Sequence, residues 1–414
     1  MPYVARTRSA FRRLRVLFVK TAPDRRIPRD PADDYTAAMV DERRRFIERK
    51  SGARLDHAGR FSFDPQATRG NIEHLTGVAQ IPLGFAGPML VDGEHARGEF
   101  YVPMATTEGT LVASYGRGMR VTAEVGGIKT TVVADAMQRA PVFGFDDARG
   151  AHAFGEWVAA NFEAIAAAAA TSTRTGRLLR VERYIAARFA YLRFNFSTGD
   201  AAGQNLSSKA TETACNWILE TYAALGGVRS FTLSGNMDTD KKASFINFLN
   251  TRGKRVVAEV TIPDELMRKH LHVTAQQMFE SRLRSQMGAW MAGSTNNGSH
   301  AANAIAAIFI ATGQDAANVA ESHAAVNYMD LTPNGDMYFA VTLPSLIVAT
   351  YGGGTSLATQ RECLEVLDCY GAGKVRKFAE IVTATVLCGE LSLGAAIVAG
   401  EWVEAHERLN RNRS

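Results

Sequence analysis

Two long segments in the second half of the chain are apolar on every side that a helix would present. Residues 298–313 and 382–400 are made almost entirely of small and apolar residues. A helix with no polar face belongs inside a large core or at a subunit contact. The chain must therefore build enough structure around these two segments to cover them on all sides.

The middle of the chain, from about residue 140 to 231, has a different pattern of predicted elements, with two strands between two helices. The predicted elements are a helix from about residue 145 to 170, strands at 178–185 and 187–197, a helix at 207–225 and a strand near 230. This order predicts a small open-faced α/β unit inserted in a larger one, and hence an α+β fold. No GxGxxG fingerprint follows a strand in the sequence, which argues against a Rossmann domain.

The basic excess is confined to the first 29 residues. The 414-residue sequence has 47 Lys and Arg against 42 Asp and Glu. Residues 1–29 hold nine of the basic residues and one acidic residue, so the remainder carries 38 basic and 41 acidic groups. Such an arm is most often solvated; a transit peptide, a membrane-surface contact and a nucleic-acid contact are the alternatives. The slightly acidic body predicts no nucleic-acid partner.

The apolar residues and the cysteines predict neither a membrane span nor disulfides. The longest apolar run, residues 302–312, is shorter than the roughly 18 residues of a membrane span and is typical of a buried helix. The four cysteines, Cys215, Cys363, Cys369 and Cys388, show no CxxC pairing. They are typical of reduced core residues in a cytoplasmic protein.

Glu108 is a single carboxylate in a stretch of small and apolar residues. The runs on either side of it, residues 102–106 and 111–114, are typical of buried segments. Burial raises the pKa of a carboxyl group, as a proton donor working near neutral pH requires. The residues alone leave two interpretations open: a catalytic acid, or a helix start capped by Thr106 or Thr107.

Four further segments place polar groups among small residues, where a ligand can approach closely. Residues 234–243, SGNMDTDKKA, put two carboxylates beside two ammonium groups, which suits an oxyanion site or a solvated turn. The turn at 197–205, STGDAAGQN, opens a helix and suits a phosphate or pyrophosphate. Asp315 follows the apolar helix that begins near His300, where a capping role is usual. His406 on the terminal helix is ordinarily a surface residue.

Spacing argues against two other chemistries. His270 and His272 have no third metal ligand nearby in sequence, and His300 with Glu321 and His323 lacks a zinc spacing. The sequence contains no GxSxG nucleophile motif. The sequence therefore predicts neither a metal site nor a serine hydrolase.

Eight segments, taken in order, resemble the catalytic portion of the 3-hydroxy-3-methylglutaryl-coenzyme A (HMG-CoA) reductases, without a membrane anchor. They lie between about residues 71 and 411 and read IPLGFAGPM, VPMATTEGTLVAS, DAMQRAPV, GDAAGQN, SGNMDTDKK, SHAANAIAAIFIATGQD, TYGGGTSLATQRECL and CGELSLGAAIVAG, with AH following. Each motif is weak alone. Seven or eight in series argue strongly against a chance match.

The resemblance implies a four-electron reduction of (S)-HMG-CoA to mevalonate and coenzyme A by two NADPH, with NADH as the alternative cofactor. By this resemblance Glu108 protonates the carbonyl oxygen, and Lys241 polarises it and stabilises the hemithioacetal oxyanion. Asp315 is coupled to both and raises the pKa of the glutamate by like-charge repulsion, while Asn303 holds the network in register. His406 protonates the departing thiolate.

The resemblance also implies binding residues, and no metal. Contacts to the hydroxymethylglutaryl group are implied for Arg139, Ser234, Asp240 and Lys242, with Arg284 where the family has a lysine for the terminal carboxylate. Contacts to coenzyme A are implied for Ser114 and Arg117. Cofactor contacts are implied for Asp200, Gly203 and Asn205, and for Arg174 and Ser208 where the family meets a 2′-phosphate.

The implied architecture has three parts. A basic arm and helical segment, 1–70, precedes a large, mostly helical HMG-CoA-binding domain, 71–139 and 233–414, which contains an inserted small ferredoxin-like NADP-binding domain, 140–232. The implied partners are HMG-CoA and coenzyme A, with a homodimer or dimer of dimers that shares its active sites, in the cytoplasm. The alternatives are the same fold working oxidatively or on another carboxylated branched acyl-CoA, and an inactive CoA-binding or regulatory protein.

The sequence departs from the family pattern in four further places. The cofactor loop usually reads Asp-Ala-Met-Gly-Met-Asn, and here Ala202 and Gln204 replace the two methionines. The family's dimer segment Glu-Asn-Val-Ile-Gly reads Glu-His-Leu-Thr-Gly at residues 73–77. The spacing from Asp315 to the next Asn is one residue shorter than in animal members. Asn412 stands where eukaryotic members carry a regulatory serine.

Overall fold

The computed structural model describes residues 26–403 and Glu407. The chain divides into two compact units, of which the first ends at Gln80 and the second begins at Ile81. Within the described residues, the second unit combines a ten-stranded sheet with helices packed against it. The predicted α+β class is confirmed.

The first unit is built around helix α1, Ala37–Ser51, where the sequence predicts a helical stretch. The side chain of Thr36 caps its start by accepting a hydrogen bond from the third residue of the helix. Arg43 on this helix is fully buried and forms an ion pair with Asp34. A short 3-10 helix follows at Pro65–Thr68.

The sheet of the second unit is antiparallel except where β1 pairs with β3. Its strands are β1 Leu83–Gly93, β2 Arg97–Ala105, β3 Ile128–Arg139, β4 Val142–Gly144, β5 Arg177–Ala186, β6 Phe189–Ser197, β7 Ser230–Thr232, β8 Gly253–Ile262, β9 Val326–Leu331 and β10 Met337–Leu346. The order is β7-β4-β6-β3-β8-β10-β9, with β2 beside β1 and β5 beside β6. Residues 129–136 of β3 pair with β8 and residues 137–139 pair with β6, so this one strand joins both parts of the sheet.

The helices of the second unit follow in chain order. They are α2 Leu111–Glu124, α3 Ala148–Ala160, α4 Phe162–Ala170, α5 Gln204–Tyr222, α6 Phe245–Leu249, α7 Asp264–Leu271, α8 Ala275–Met291, α9 Ala301–Thr312, α10 Val319–Ser322, α11 Ala358–Val366 and α12 Val375–Ala399, with 3-10 helices at Ala316–Asn318 and Gly353–Ser356. The single helix predicted from about residue 145 to 170 is in fact two. Asn161 separates them, because its backbone leaves the helical region and its side-chain amide donates to the Trp157 carbonyl.

Helices α9 and α12 run through the main hydrophobic core, which confirms that the two apolar segments are covered. Among the described helices, α12 alone is long and apolar enough to cross a membrane, so the expectation that no stretch approaches that length is wrong. Its apolar window is 78% buried inside the protein, as in a core helix. Glu380 and Glu390 interrupt the apolar run of α12 in the sequence, although both side chains are buried in the structure.

A second, separate hydrophobic cluster lies between residues 143 and 222. Helices α3, α4 and α5 pack there against β4, β5 and β6 around Phe143, Phe154, Phe194 and Phe196. The four cysteines of the chain are all buried and form no disulfide, as the sequence predicts.

Two buried glutamates of α12 hold neighbouring loops through backbone N–H groups. Glu380 Oε2 accepts hydrogen bonds from the N–H groups of His95 and Ala96, at 2.9 and 2.7 Å, in the β1–β2 turn. Glu390 accepts three N–H groups from residues 299–301, at 2.6 to 2.9 Å. Burial raises the pKa of Glu390, and these hydrogen bonds oppose the rise. Glu390 thereby fixes the start of α9.

Candidate active site

Glu108 and Asn303 meet at the mouth of a cavity of about 420 Å³. Glu108 lies in the loop between β2 and α2, and Asn303 lies on the first turn of α9. Asn303 Nδ2 is 3.4 Å from Oε1 and 3.3 Å from Oε2 of Glu108. The rest of the lining is mostly apolar, including Ile81, Ala306 and Ile310. The amide therefore orients the carboxylate at an apolar-walled opening.

The expectation that Glu108 is buried is wrong for the single chain, where its side chain is exposed. The apolar residues around it belong to β2 and α2, which face the core, whereas Glu108 occupies the loop between them. The capping alternative is also wrong. The residue before α2 is Thr110, which makes no side-chain cap, and Thr106 instead accepts the N–H of Glu108 at 3.0 Å.

Lys241 and Asp315 form an ion pair, with 3.2 Å between Nζ and Oδ2. Both side chains are partly exposed, at 46% and 41%. The other oxygen of Asp315 accepts the N–H of Ala317 at 3.0 Å and caps the 3-10 helix that follows. Asp315 is therefore both a cap, the usual role for its position, and a partner of the lysine.

The backbone of Lys241 is held in an uncommon conformation. Its φ of +57° lies in the left-handed region, which costs free energy for a residue with a Cβ. Its N–H donates to Glu321 Oε1 at 2.5 Å. Glu321 thus holds the backbone of Lys241, while Asp315 pairs with its side chain.

Asp238 joins two of the predicted substrate contacts. It is fully buried, and its Oδ2 accepts hydrogen bonds from Arg139 Nη1 at 2.7 Å and from Ser234 Oγ at 3.4 Å. Arg139 Nε also donates to Ser208 Oγ on α5 at 3.0 Å. Arg139, a predicted substrate contact, is therefore hydrogen-bonded directly to Ser208, a predicted cofactor contact.

Asp240 and Lys242 flank Lys241 in sequence. Lys242 is exposed and its Nζ donates to the carbonyl of Asp240 at 2.9 Å. Asp240 Oδ1 accepts from Arg252 Nη2 at 2.7 Å and from Gln204 Nε2 at 3.2 Å. One carboxylate thus ties the lysine loop to two other elements.

The small-residue turn before α5 requires glycine at Gly203. Its φ is +83°, and a Cβ there would lie 2.1 Å from Thr198 Cγ2. The carboxylate of Asp200 accepts N–H groups of residues 373–375 at 2.8 to 3.2 Å, so it anchors the turn to the start of α12. Asn205 is exposed on the first turn of α5. Their contacts to a cofactor stay predictions.

Ser114 and Arg117, on α2, meet the same residue of α12. Ser114 Oγ lies 3.1 Å from Ser392 Oγ, and Arg117 Nε donates to that oxygen at 3.0 Å. Arg117 Nη1 also lies 3.4 Å from Glu401 Oε2. Burial lowers the pKa of Arg117, and Glu401 opposes this effect. Arg117 and Arg120 line a cavity of about 700 Å³ beside α2.

Three further predicted site residues are on the surface or outside the described residues. Arg284 on α8 is 71% exposed and lies 4.0 Å from Glu280 of the same helix. Arg174 is exposed in the turn after α4. His406 lies outside the described residues, so its predicted role stays a prediction.

Sequence reasoning missed three charged residues that hold the lysine loop. Asp238, Arg252 and Glu321 are all buried, with exposures of 0%, 0% and 1%. Arg252 lies beside Lys254 and Arg255 at the start of β8, so the sequence gives no signal that it, of the three, is fully buried with carboxylate partners. Glu321 stands two residues before His323 in a spacing that predicts no metal site, and its partners Lys241 and Arg252 lie far away in sequence.

Taken together, the site is built for carbonyl chemistry. An ammonium group paired with a carboxylate can stabilise negative charge that develops on a carbonyl oxygen. A second carboxylate, held by an amide at an apolar-walled cavity, can supply a proton. The fold and site fit an α+β enzyme that activates a carbonyl group without a Rossmann domain.

Sequence comparisons identify the family. The hydroxymethylglutaryl-coenzyme A reductase profile matches residues 39–411. The 3-hydroxy-3-methylglutaryl-coenzyme A reductase of Methanocaldococcus jannaschii is 45% identical over 89% of this chain and 92% of its own length. That of Pyrococcus abyssi is 44% identical over 89% and 92%. The chain belongs to the hydroxymethylglutaryl-coenzyme A reductase family, which confirms the resemblance inferred from the motifs.

A solved structure shares the fold. The class II 3-hydroxy-3-methylglutaryl-CoA reductase from Streptococcus pneumoniae, determined bound to NADPH in open conformations, matches with a TM-score of 0.64. The match covers 80% of this chain and 89% of the other, at 19% sequence identity. At that identity the likeness shows the fold alone.

Proposed function

We propose that this protein reduces (S)-HMG-CoA to mevalonate and coenzyme A, with two NADPH as the reductant. The observation that carries the proposal is the Lys241–Asp315 ion pair, set in the fold of a family whose relatives are named for this reaction. The NADPH bound to the Streptococcus pneumoniae enzyme supports the choice of cofactor.

The charged residues of the site divide the work of carbonyl reduction. Lys241 Nζ stabilises the negative charge that develops on the thioester oxygen, and Asp315 holds this ammonium group in place. Glu108 gives that oxygen its proton and is oriented by Asn303. In the second reduction the same groups serve the aldehyde oxygen. Two hydrides and two protons in all convert the thioester to a primary alcohol and a thiol.

The turn that opens α5 fits the phosphate groups of a nicotinamide cofactor. Gly203 makes no side-chain cap, so the N–H groups of the first turn of this 19-residue helix are open to an anion. Two NADPH molecules, bound one after the other, would supply one hydride each. Asn205, Ser208 and Arg174 would hold the bound cofactor, and Asp200 keeps the turn in place through α12.

The acyl and thiol ends of the substrate have separate contacts. Arg139, Ser234, Asp240 and Lys242 surround the lysine loop and suit the polar, carboxylated acyl group, and Arg284 is assigned to its terminal carboxylate. Ser114 and Arg117 beside the 700 Å³ cavity are assigned to coenzyme A. His406 is assigned to protonation of the departing thiolate.

The domain arrangement is proposed from the hydrophobic clusters. We assign residues 140–232 to an inserted, ferredoxin-like NADP-binding domain, because the cluster between residues 143 and 222 is separate from the main core. Residues 71–139 and 233–414 would form the HMG-CoA-binding domain, with 1–70 as the arm and helical segment. The free, buried cysteines support a cytoplasmic location.

A homodimer with shared active sites is proposed from the surface of α8. Leu283, Met287, Trp290 and Met291 follow one another at helical spacing and are 53% to 78% exposed. An apolar stripe of this kind fits a self-complementary interface between two copies. The exposure of Glu108 in the single chain supports the same arrangement, since a second copy could cover the site.

The proposed reaction is tested by following NADPH oxidation by its absorbance, with HMG-CoA as substrate and NADH in a parallel assay. The product should be mevalonate, with two NADPH consumed for each thiol released. Lys241→Ala should lower kcat by about 100-fold or more, as loss of an oxyanion stabiliser does. Absence of NADPH- or NADH-dependent turnover of HMG-CoA would contradict the proposal.

A further inference from the structure

Arg252 and Glu321, which are assigned to neither substrate nor cofactor, form a buried charge cluster with Asp240 beside the lysine loop. Arg252 is fully buried and makes three separate contacts: Nε to Glu321 Oε1 at 3.2 Å, Nη2 to Asp240 Oδ1 at 2.7 Å and Nη1 to the Gln138 carbonyl at 3.0 Å. An arginine with its donors fixed in this way has one orientation. Arg252 therefore fixes the positions of its two carboxylate partners, Glu321 and Asp240.

One carboxylate oxygen of Glu321 contacts both Arg252 and the loop that carries Lys241. Its Oε1 accepts the N–H of Lys241 at 2.5 Å as well as Arg252 Nε. Burial raises the pKa of Glu321, and the hydrogen bonds from Lys241 and Arg252 oppose the rise. The cost of burying this carboxylate is offset only while both donors stay in place.

Lys241 is thus held at both ends by one short segment. Asp315 pairs with its Nζ, and Glu321, six residues later, accepts its N–H. The backbone of Lys241 has a φ of +57° and needs such a restraint to stay in that conformation. We propose that Glu321, supported by Arg252, is a positioning residue that fixes Lys241 for oxyanion stabilisation.

The inference rests on the proposed function, because it assigns Glu321 an effect only through Lys241. Misplacing a catalytic group by about 1 Å can cost about 100-fold in rate. Loss of Glu321 should therefore appear in kcat, while cofactor binding on α5 is unchanged. A merely structural role would instead lower stability and leave the rate of the folded fraction intact.

Two substitutions of Glu321 separate these roles. Glu321→Ala should lower kcat by about 10- to 100-fold and change the KM for NADPH by less than about threefold. Glu321→Gln should restore kcat to within about threefold of the wild type, because its amide oxygen still accepts the Lys241 N–H. Its amide nitrogen can occupy the Oε2 side, where no hydrogen-bond partner lies among the described residues.

Glu380→Ala is the matched control, since Glu380 is equally buried and also accepts two hydrogen bonds, from the β1–β2 turn. It should lower the melting temperature and leave kcat near that of the wild type. If Glu380→Ala lowers kcat as much as Glu321→Ala does, the effect is general loosening and the inference is wrong.

A double-mutant cycle completes the test. Glu321→Ala should cost nothing further in a Lys241→Ala background, because residues that act as a unit are not additive. Residual turnover is measured as mevalonate formed over long incubation, by mass spectrometry. A full additional loss in that background overturns the inference and leaves the proposed function standing. Full activity of Lys241→Ala itself would overturn the proposed role of the lysine.

Discussion

Gln204 Nε2 donates a hydrogen bond to Asp240 Oδ1 across 3.2 Å, which joins the first turn of α5 to the loop that carries Lys241. The same nitrogen donates to Asn318 Oδ1 at 2.9 Å. Family members usually carry methionine at this position of the cofactor loop. The glutamine therefore adds a polar link between the proposed cofactor and substrate sites.

This link predicts coupling between the two ligands. HMG-CoA should tighten NADPH binding in the wild type, and Gln204→Met should remove about 1 kcal/mol of that effect, or about fivefold. NADPH affinity is measured by fluorescence titration with and without HMG-CoA. Glu212→Met, an exposed position on the same helix, should keep the coupling. Equal coupling in Gln204→Met and the wild type would argue against the link.

Arg174 should decide the choice between NADPH and NADH. A charge-assisted contact to a 2′-phosphate contributes about 1.5–3 kcal/mol, so Arg174→Ala should raise the KM for NADPH about tenfold or more. The KM for NADH should hardly change. Initial rates with each cofactor test this, and equal effects on both would remove Arg174 from the 2′-phosphate site.

The exposed stripe of α8 should be an interface. Trp290→Glu should weaken self-association by at least about 30-fold, because it places a charge in an aromatic contact. Activity should fall together with self-association if each active site is shared between two subunits. Light scattering and rate measurements over a range of protein concentrations test this. Leu225→Glu, at a similarly exposed apolar position, is the control. A fully active monomer would rule out a shared site.

His406→Ala should separate the two reductions. A histidine with a pKa near 6.5 can protonate a thiolate at neutral pH, so turnover of HMG-CoA should fall about 10²- to 10⁴-fold. Free mevaldehyde has no thiolate to protonate, and its reduction should be largely spared. Both reactions are followed by NADPH oxidation. Equal loss of both, or of neither, would show that His406 is not the acid for the thiolate.

The turn before α12 should respond to acid through Asp368. Hydrogen bonds from Lys374 and Lys377 lower the pKa of this carboxyl from 3.8 to about 2. A depressed pKa stabilises the folded state above pH 3.8, and this contribution is lost as the pH falls towards 2. Asp368→Asn should therefore lower the melting temperature slightly at pH 7, since the group is exposed, and the difference should vanish on acidification. A difference that persists unchanged from pH 7 to pH 2 would contradict this.

The sequence predicts well what is local. The apolar composition of α9 and α12 predicts their burial. The pairing of Lys241 with Asp315 is implied by the family resemblance and not by any local pattern. Local patterns predict poorly where a loop residue ends up. Glu108 is exposed although both neighbouring segments are buried, because it lies in the loop between β2 and α2.

The support of the site could not be predicted from sequence, for a physical reason. Arg252 and Glu321 are separated by 69 residues and meet only after β8 and α10 have packed. The contacts of Asp200 are equally hard to predict, because its carboxylate binds backbone N–H groups, which every residue except proline has. Contacts between single charges, or between a charge and the backbone, leave no periodic pattern to recognise.

Strand β3 limits how freely the small α/β part can be exchanged among relatives. One end of this strand pairs with β8 and the other with β6, and Arg139 is its last residue. A chimaera that exchanges residues 140–232 keeps all of β3 from the recipient, so the grafted β6 has to pair with the recipient's residues 137–139. A graft of the proposed cofactor domain therefore requires a β6 that matches the recipient's β3. The ion pair between Arg139 and Asp238 stays with the recipient, so such a graft tests nicotinamide preference without changing this proposed substrate contact.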